Sequence, residues 1–119
     1  MHKPKANAVD YVEIPSRDLP GTKAFFEALF AWKFTDYGPE YISFEDGRIT
    51  GGFYKSANVS SVATGSALIV FYCPQLEETR ERAAKLGASI TREIFSFPGG
   101  RRFHLTEPGG GEFAIWSDR

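Results

Sequence analysis

A glutamate and a tyrosine near the amino terminus have the clearest chemical potential in this sequence. Glu13 lies two residues after Tyr11 in AVDYVEI, a strand-like segment, so both side chains fall on one face. A carboxylate held among tyrosine and aliphatic side chains could act as a general base. In the structural alternative, Glu13 pairs with Arg92, Arg101 or Arg102, or these arginines receive an anionic ligand instead.

His104, Glu112 and Cys73 are the other reactive side chains to weigh. His104 lies in RRFHLTE, and a single histidine in a strand is most often a hydrogen-bonded structural group. Glu112 is most simply a solvated residue at a strand edge. Cys73 is the one cysteine, so it cannot form an internal disulfide, which fits a reducing cytoplasm, and we interpret it as a packing thiol.

Two runs of secondary structure with the same order must position these residues. In the first half we predict strand 8–14, a helix from an Asp18 cap to about Phe30, and strands near 32–36, 40–45 and 49–54. In the second half we predict strand 66–73, a helix from about Leu76 to Leu86, and strands near 88–95, 101–106 and 112–117. The nearly continuous apolar run at 66–73 suggests a central strand, and the small polar residues 55–65 suggest a linker or mobile loop.

The two halves keep a constant spacing of 57 residues. Three apolar residues of the first helix and its exit recur at that spacing: Leu19 and Leu76, Leu29 and Leu86, Ala31 and Ala88. The sequence therefore predicts a single α+β domain over residues 1–119, built from two βαβββ modules. Module one covers about 8–54 and module two about 66–117.

Two segments resemble the motifs of a known family. EIPSRDLPGTKAFFEALFAWKF and LTEPGGGEFAIW are similar to the opening and closing motifs of the vicinal oxygen chelate superfamily, the glyoxalase, bleomycin resistance protein and extradiol dioxygenase family. The resemblance extends from about Ala8 to Ser117. It implies a mixed sheet curled around a cleft with helices on the outer face, and members are often homodimers. It also implies lactoylglutathione lyase, dioxygenase or drug-binding activity.

The resemblance also implies where a metal would bind. Most catalytic members hold one divalent metal with His and Glu ligands from both modules, as a Lewis acid. The matching positions here are Tyr11, Leu68, Ala114 and the GGFY segment 51–54, which provide neither imidazole nor carboxylate. We therefore predict no metal and no other cofactor. A register shifted by one or two residues would leave open a displaced site, made of Glu13, Glu112 and His104.

The same strand phases predict which side chains would line the cleft. The fourth strand should contribute Phe53 or Tyr54. The predicted ligand pocket consists of Tyr11, Glu13, Phe53, Leu68, Val70, Tyr72, Arg102, His104, Ala114 and Trp116. An aromatic and apolar lining with a few polar groups is typical of a small-molecule site, although the same rings could instead fill a collapsed cleft.

The composition limits the kinds of partner that we expect for this protein. The formal net charge of -1 gives no field for nucleic acid or an anionic membrane. No apolar run approaches the roughly 18 residues of a membrane span, and the first residues lack the apolar stretch of a signal peptide. We expect a soluble cytoplasmic homodimer with a small-molecule ligand and without nucleic-acid or membrane partners.

Three functions fit these expectations. The first is a protein that binds a small organic molecule without a metal, as drug-resistance members of the family do. The second is an enzyme of the lyase or dioxygenase type, using displaced metal ligands or metal-free acid–base catalysis by Glu13 and Tyr11. The third is a dimeric interaction module with a vestigial cleft. The missing ligands and the aromatic lining favour the first.

Overall fold

Each half of the chain folds into one strand, one helix and three further strands, in the predicted order. The structure is a computed structural model that describes residues 2–119. The elements of the first half are β1 (Tyr11–Ser16), α1 (Leu19–Phe30), β2 (Lys33–Asp36), β3 (Tyr41–Glu45) and β4 (Thr50–Lys55). Those of the second half are β5 (Ile69–Tyr72), α2 (Leu76–Lys85), β6 (Ser89–Phe97), β7 (Gly100–Thr106) and β8 (Glu112–Ser117).

The strands form two mixed sheets of four strands with the same topology. The strand order is β1-β4-β3-β2 in the first sheet and β5-β8-β7-β6 in the second. In each sheet the first strand lies parallel to the last one, and the remaining pairs are antiparallel. The α+β fold with two βαβββ modules is therefore confirmed.

Helix α1 begins and ends where local chemistry requires. The Asp18 side chain accepts a hydrogen bond of 3.1 Å from the Gly21 amide, and Pro20 occupies the first turn, where its missing N–H costs nothing. Ala31 then adopts φ 58°, a left-handed conformation that ends the helix. The buried residues of α1 form one stripe along the helix: Leu19, Thr22, Phe25, Phe26 and Leu29.

Phe26 connects the two modules in a single core. Its ring centroid lies 4.5 Å from that of Trp32 and 5.7 Å from that of Phe53, both in module one. It also lies 5.9 Å from Phe71 and 5.4 Å from Phe113, in module two. Aromatic rings at these separations gain contact energy beyond the area they bury, so much of the cohesion between the modules passes through α1.

The spacing of 57 residues also relates side-chain contacts in the two modules. Ser16 and Thr22 share a hydrogen bond of 2.7 Å between the end of β1 and α1. Their counterparts, Cys73 and Thr79, make the matching contact of 3.0 Å between the end of β5 and α2. Cys73 is half-buried and packs against the core, so the structure gives it a local structural contact.

Strand β5 differs from its prediction. It covers only Ile69–Tyr72 and lies at the edge of its sheet, whereas the apolar run suggests a longer, central strand. Ile69 and Phe71 pack against the core, but Val70 is 40% exposed and Tyr72 is 48% exposed on the opposite face. The run is therefore apolar on a face that the chain itself leaves uncovered. Strand β1 is shifted along the chain from its prediction of 8–14, because it covers Tyr11–Ser16.

The segment between the modules is attached to β8. It contains one 3-10 turn, Val62–Thr64, capped by the Ser61 side chain. Glu112 holds it twice: the Glu112 amide donates to the Ser60 carbonyl at 2.9 Å, and the carboxylate accepts from the Val62 amide at 2.8 Å. Neither helix within residues 2–119 is long and apolar enough to span a membrane.

Candidate functional site

Alternation along the strands gives each sheet one face toward the helices and one turned away from them, here called the open face. Val12 and Ile14 pack in the core, so Tyr11 and Glu13 lie on the open face of the first sheet. Phe113 and Ile115 pack in the core, so Glu112, Ala114 and Trp116 lie on the open face of the second sheet.

A cluster of hydroxyl and carboxylate groups occupies the open face of the first sheet. The Tyr41 hydroxyl donates to a Glu13 carboxylate oxygen at 2.9 Å and also bonds the Tyr11 hydroxyl. Gly52 lies beneath the cluster, and a Cβ atom there would overlap the Tyr41 hydroxyl. Burial, followed by the hydrogen bonds with Tyr11 and Glu13, raises the pKa of Tyr41, so this phenol stays protonated and acts as a donor.

Sequence reasoning overlooked Tyr41 but named Tyr11 and Glu13. The structure brings those two residues together, with Tyr41 between them. Glu13 is exposed, and its partner is the Tyr41 hydroxyl instead of an arginine. Arg101, one of the arginines considered as a partner, lies elsewhere and pairs with Glu77 of α2.

An aromatic strip crosses the open face of the second sheet. Tyr72 of β5 and Trp116 of β8 meet with ring centroids 5.2 Å apart, and Phe97 of β6 lies 6.2 Å from Trp116. The Tyr72 hydroxyl donates to Asp118 at 2.7 Å. This hydrogen bond is the main reason that the pKa of Tyr72 is raised. The strip therefore joins three strands and leaves flat ring surface available to a ligand.

A hollow of about 580 Å³ opens beside this strip. The second sheet contributes Val70, Phe71, Tyr72 and Trp116, and the sequence places all of them except Phe71 in the pocket. Module one completes the wall with residues from the end of α1 and from the β3–β4 turn: Phe30, Trp32, Asp46 and Arg48. These four residues were absent from the sequence prediction, because only the packing of the modules brings their elements to β5.

The far side of the strip carries positive charge. The guanidinium carbon of Arg92 lies 3.6 Å from the centroid of the Phe95 ring, and that of Arg102 lies 5.4 Å from it. His104 lies between these groups and Glu112, with its Nδ1 atom 3.9 Å from a Glu112 oxygen. Two buried side-chain nitrogens lack a hydrogen-bond partner in the described part of the chain, Arg102 Nε and His104 Nε2.

His104 is held in its neutral form by its surroundings. It is 7% exposed, and burial is the first cause that lowers its pKa. The positive charges of Arg102 and Arg92 lower it further, while Glu112 opposes them. An uncharged imidazole beside two guanidinium groups leaves a site that still attracts negative charge.

Two β-bulges explain why the sequence did not place Arg92 and Phe95 in the site. The register of β6 against β7 shifts between Ile90 and Arg92, and again between Arg92 and Phe95. Arg92 pairs with His104 and Phe95 pairs with Arg102, so all four reach one face. Simple alternation would put Arg92 and Phe95 on opposite faces, and a bulge removes that rule locally.

Three of the predicted pocket residues do not line the hollow beside the strip: Phe53, Leu68 and Ala114. Phe53 is fully buried on the helix side of β4, against Phe26, so its prediction as a pocket residue is wrong; Tyr54 occupies the open face instead. Leu68 lies one residue before β5 and is half-buried. Ala114 is fully buried between its cross-strand neighbours on β5 and β7.

The residues at the expected metal positions do not fit a metal ion. The Tyr11 hydroxyl is engaged with Tyr41, Leu68 and Ala114 have no donor atom, and Gly52 has no room for a ligating side chain. Glu13 and Glu112, from the displaced set, line a second hollow of about 220 Å³. Across residues 2–119, no three His, Cys, Asp or Glu side chains are grouped to hold a metal.

The family model of the Glyoxalase/Bleomycin resistance protein/Dioxygenase superfamily matches residues 8–115. The chain belongs to this superfamily. The match spans both βαβββ modules, so the resemblance to the vicinal oxygen chelate proteins is confirmed. No curated protein matches the sequence.

Solved structures of this superfamily share the fold. A glyoxalase/bleomycin resistance protein/dioxygenase family enzyme from Burkholderia phytofirmans is similar over 93% of this chain and 100% of its own, with a TM-score of 0.76 at 17% identity. A mutant of the fosfomycin resistance protein FosX from Listeria monocytogenes, complexed with Mn(II), has a TM-score of 0.76 at 17% identity, over 94% of this chain and 90% of that one. Lactoylglutathione lyase from Agrobacterium tumefaciens has a TM-score of 0.70 at 17% identity, over 97% of this chain and 96% of its own. At these identities the likeness concerns the fold alone.

Proposed function

We propose that this protein binds a small organic molecule on the open face of its second sheet, without the metal used by catalytic members of its superfamily. The observation that carries the proposal is the aromatic strip of Tyr72, Trp116 and Phe97 beside the 580 Å³ hollow. Tyr72 is exposed and the rings of Trp116 and Phe97 are half-buried, and accessible rings next to a concavity of this size suit a flat apolar ligand. Support for binding without a metal comes from the donor set, which offers Tyr11, Leu68 and Ala114 where imidazole or carboxylate is needed.

Tryptophan fluorescence tests this proposal. Both tryptophans line the hollow, but Trp116 lies on the open face, whereas Trp32 is 8% exposed and stacked on Phe44 in the core, so the change in emission should come mainly from Trp116. Protein treated with a chelator is titrated with a chemically diverse panel of aromatic compounds. We expect at least one to change Trp116 emission in a saturable manner, and Trp116→Phe to lose that response. If no compound of the panel changes the emission or raises the melting temperature, the proposed function is wrong.

An enzyme with metal-free acid–base chemistry is the second candidate. The hydrogen-bonded Tyr11, Tyr41 and Glu13 cluster favours it, because a carboxylate and a protonated phenol in contact can exchange a proton with a bound molecule. Glu13→Gln should then abolish turnover of any substrate found, with unchanged circular dichroism and melting temperature. Full turnover by this variant would exclude Glu13 as the base.

A homodimer is the assembly we propose. Several large side chains on the open faces are exposed in the single chain: Tyr11, Tyr54, Val70 and Tyr72. A second copy would cover them and deepen the hollow, since buried apolar area stabilises association. Light scattering should give twice the mass of one chain, and a monomer at all accessible concentrations would contradict the proposal. The hollow beside β5 gives no support to an interaction module with a filled cleft.

A further inference from the structure

We infer that the ligand of the second open face is an aromatic carboxylate, with its carboxylate bound by Arg92 and Arg102 and its ring on the aromatic strip. The inference rests on the proposed function and assigns the chemical class of the molecule bound there. It starts from the two guanidinium groups that flank Phe95 at one end of the strip.

Among the residues that the structure describes, 2–119, these two arginines have no counterion, unlike the arginines that serve structural roles. Arg80 pairs with Glu93 at 2.7 Å, and Arg101 is bonded to Glu77 through both terminal nitrogens. Within residues 2–119, neither Arg92 nor Arg102 makes a hydrogen bond or an ion pair. Both guanidinium groups lie over the same Phe95 ring, so without a carboxylate their charges repel each other, and an anion with two oxygens would relieve that repulsion.

The nearest carboxylate is already engaged. One Glu112 oxygen accepts from the Val62 amide at 2.8 Å, and the other accepts from the Thr91 hydroxyl at 3.2 Å. Its contact with His104 Nδ1, at 3.9 Å, is longer than a hydrogen bond. The Glu112 carboxylate is therefore hydrogen-bonded to the segment between the modules and to β6, and it does not neutralise the arginines.

A buried nitrogen supplies the second, independent observation. His104 is 7% exposed, and its Nε2 atom has no hydrogen-bond partner within residues 2–119. The Nε atom of Arg102 is also buried and has no hydrogen-bond partner within the same residues. Buried polar atoms are rarely left without partners, so such a pair commonly marks a place where a partner binds. Arg92 is exposed, so a partner that arrives from solvent can reach its guanidinium group as well.

The rings next to the arginines specify the body of the molecule. Arg102 lies directly opposite Trp116 in the β7–β8 register, and its guanidinium carbon is 5.7 Å from the centroid of Phe97. A planar ring lying on Trp116 and Phe97 would thus bring an attached carboxylate to the guanidinium groups. An inorganic anion would use the charge alone, and a neutral aromatic compound would use the rings alone.

Nuclear magnetic resonance titration with naphthoate and its neutral isostere naphthamide tests the inference. We expect naphthoate to shift the resonances of Arg102, His104 and Trp116, and naphthamide to bind at least about tenfold more weakly, because the charged hydrogen bonds are lost. Arg102→Gln should weaken naphthoate binding by about tenfold to a hundredfold. The matched control is Arg101→Gln, which removes the same charge from the neighbouring position on the helix side and should leave the affinity unchanged.

The histidine provides a second readout in the same experiment. Arg92 of β6 and Arg102 of β7 lower the pKa of His104, and Glu112 of β8 raises it. A bound carboxylate offsets the arginines, so the pKa of His104 should be higher in the naphthoate complex than in the free protein. Naphthamide should leave the pKa of His104 unchanged.

The possible failures separate the two proposals. If naphthamide binds as tightly as naphthoate at the same residues and Arg102→Gln has no effect, the inferred anion site is wrong while binding at the aromatic strip stands. If phosphate alone shifts the same resonances with equal affinity, the arginines bind anions without the rings, and the aromatic class is wrong. If naphthoate causes no shift at this face, the inference is overturned, whereas the compound panel separately decides the proposed function.

Discussion

Glu107 of module two accepts a hydrogen bond of 2.9 Å from the Thr22 hydroxyl of α1 in module one. Glu107 is 2% exposed, and it also accepts from the amide of Gly109. Nearby, the Arg17 amide donates to the Gly109 carbonyl at 2.8 Å. The two segments that carry the superfamily resemblance thus meet at a buried carboxylate. Their shared residues therefore hold the two modules together.

The pH dependence of stability should reveal this carboxylate. Burial raises the pKa of Glu107 above the ordinary 4.5, and hydrogen bonds from Gly109, Thr22 and Gly111 only partly oppose it. The folded state therefore holds this proton more tightly than the unfolded state. The corresponding stabilisation is complete below about pH 4.5 and is lost as pH rises through the folded pKa.

Urea denaturation of wild type and Glu107→Gln between pH 4 and pH 8 measures this contribution. Subtracting the variant removes the contributions of the other titrating groups, including Glu77 and Glu93, whose pKa values are lowered by arginines. We predict that the difference in unfolding free energy moves in favour of the variant as pH rises. If the unfolding free energies of the two proteins change with pH in parallel, or if the difference moves in favour of wild type, burial is not the main influence on the pKa of Glu107.

Shortening Phe26 should destabilise both modules together. Phe26→Ala removes a ring that contacts Phe53 on one side and Phe71 and Phe113 on the other. We predict a loss of about 3–5 kcal/mol in the free energy of unfolding. Circular dichroism in urea measures it, with exposed Glu27→Ala as a control expected to stay within about 0.5 kcal/mol of wild type. Two separate transitions in wild type would contradict a shared core.

The phenol of Tyr41 should ionise only in strongly alkaline solution. Burial, then its hydrogen bonds with Tyr11 and Glu13, raise the pKa of Tyr41 above the ordinary value of 10. Stability linked to this proton is present below that pH and is lost as pH rises through the folded pKa. In tyrosinate absorbance titrations, Tyr41→Phe should remove a late step and Glu13→Gln should move that step to lower pH.

The exposed Tyr37 provides the control for this titration. Tyr37→Phe should leave the late step of Tyr41 in place. The account of Tyr41 is wrong if Tyr41→Phe removes a titration step near the ordinary tyrosine pKa of 10 while the late step remains. Tyr41 would then not be enclosed by Tyr11 and Glu13.

The sequence predicted the elements well because each carries a strong local signal. The Asp18 cap and the helix that follows it depend on residues close in the chain, and the spacing of 57 residues between Leu19 and Leu76 repeats that local pattern in the second half. All three are found in the structure. The edge position of β5 was not predictable, because its apolar residues do not reveal whether a neighbouring strand or open space covers them.

The candidate site was predicted only in part for a related reason. Val70, Tyr72 and Trp116 obey simple alternation along their strands, and they line the hollow together. Arg92 and Phe95 depend on two β-bulges, which change the facing of side chains without a clear mark in the sequence. Phe53 shows a different limit: the sequence of β4 does not reveal which of Phe53 and Tyr54 faces the core, and in the structure it is Phe53.

The central claim is that a small organic molecule binds to this superfamily member without a metal. The most direct measurement is the shift in melting temperature caused by a panel of planar aromatic compounds, first with chelator and then with added Mn(II), Zn(II), Ni(II) or Fe(II). We predict that at least one compound raises the melting temperature in chelator, and by the same amount when metal is present. Stabilisation that appears only after metal is added would contradict the claim.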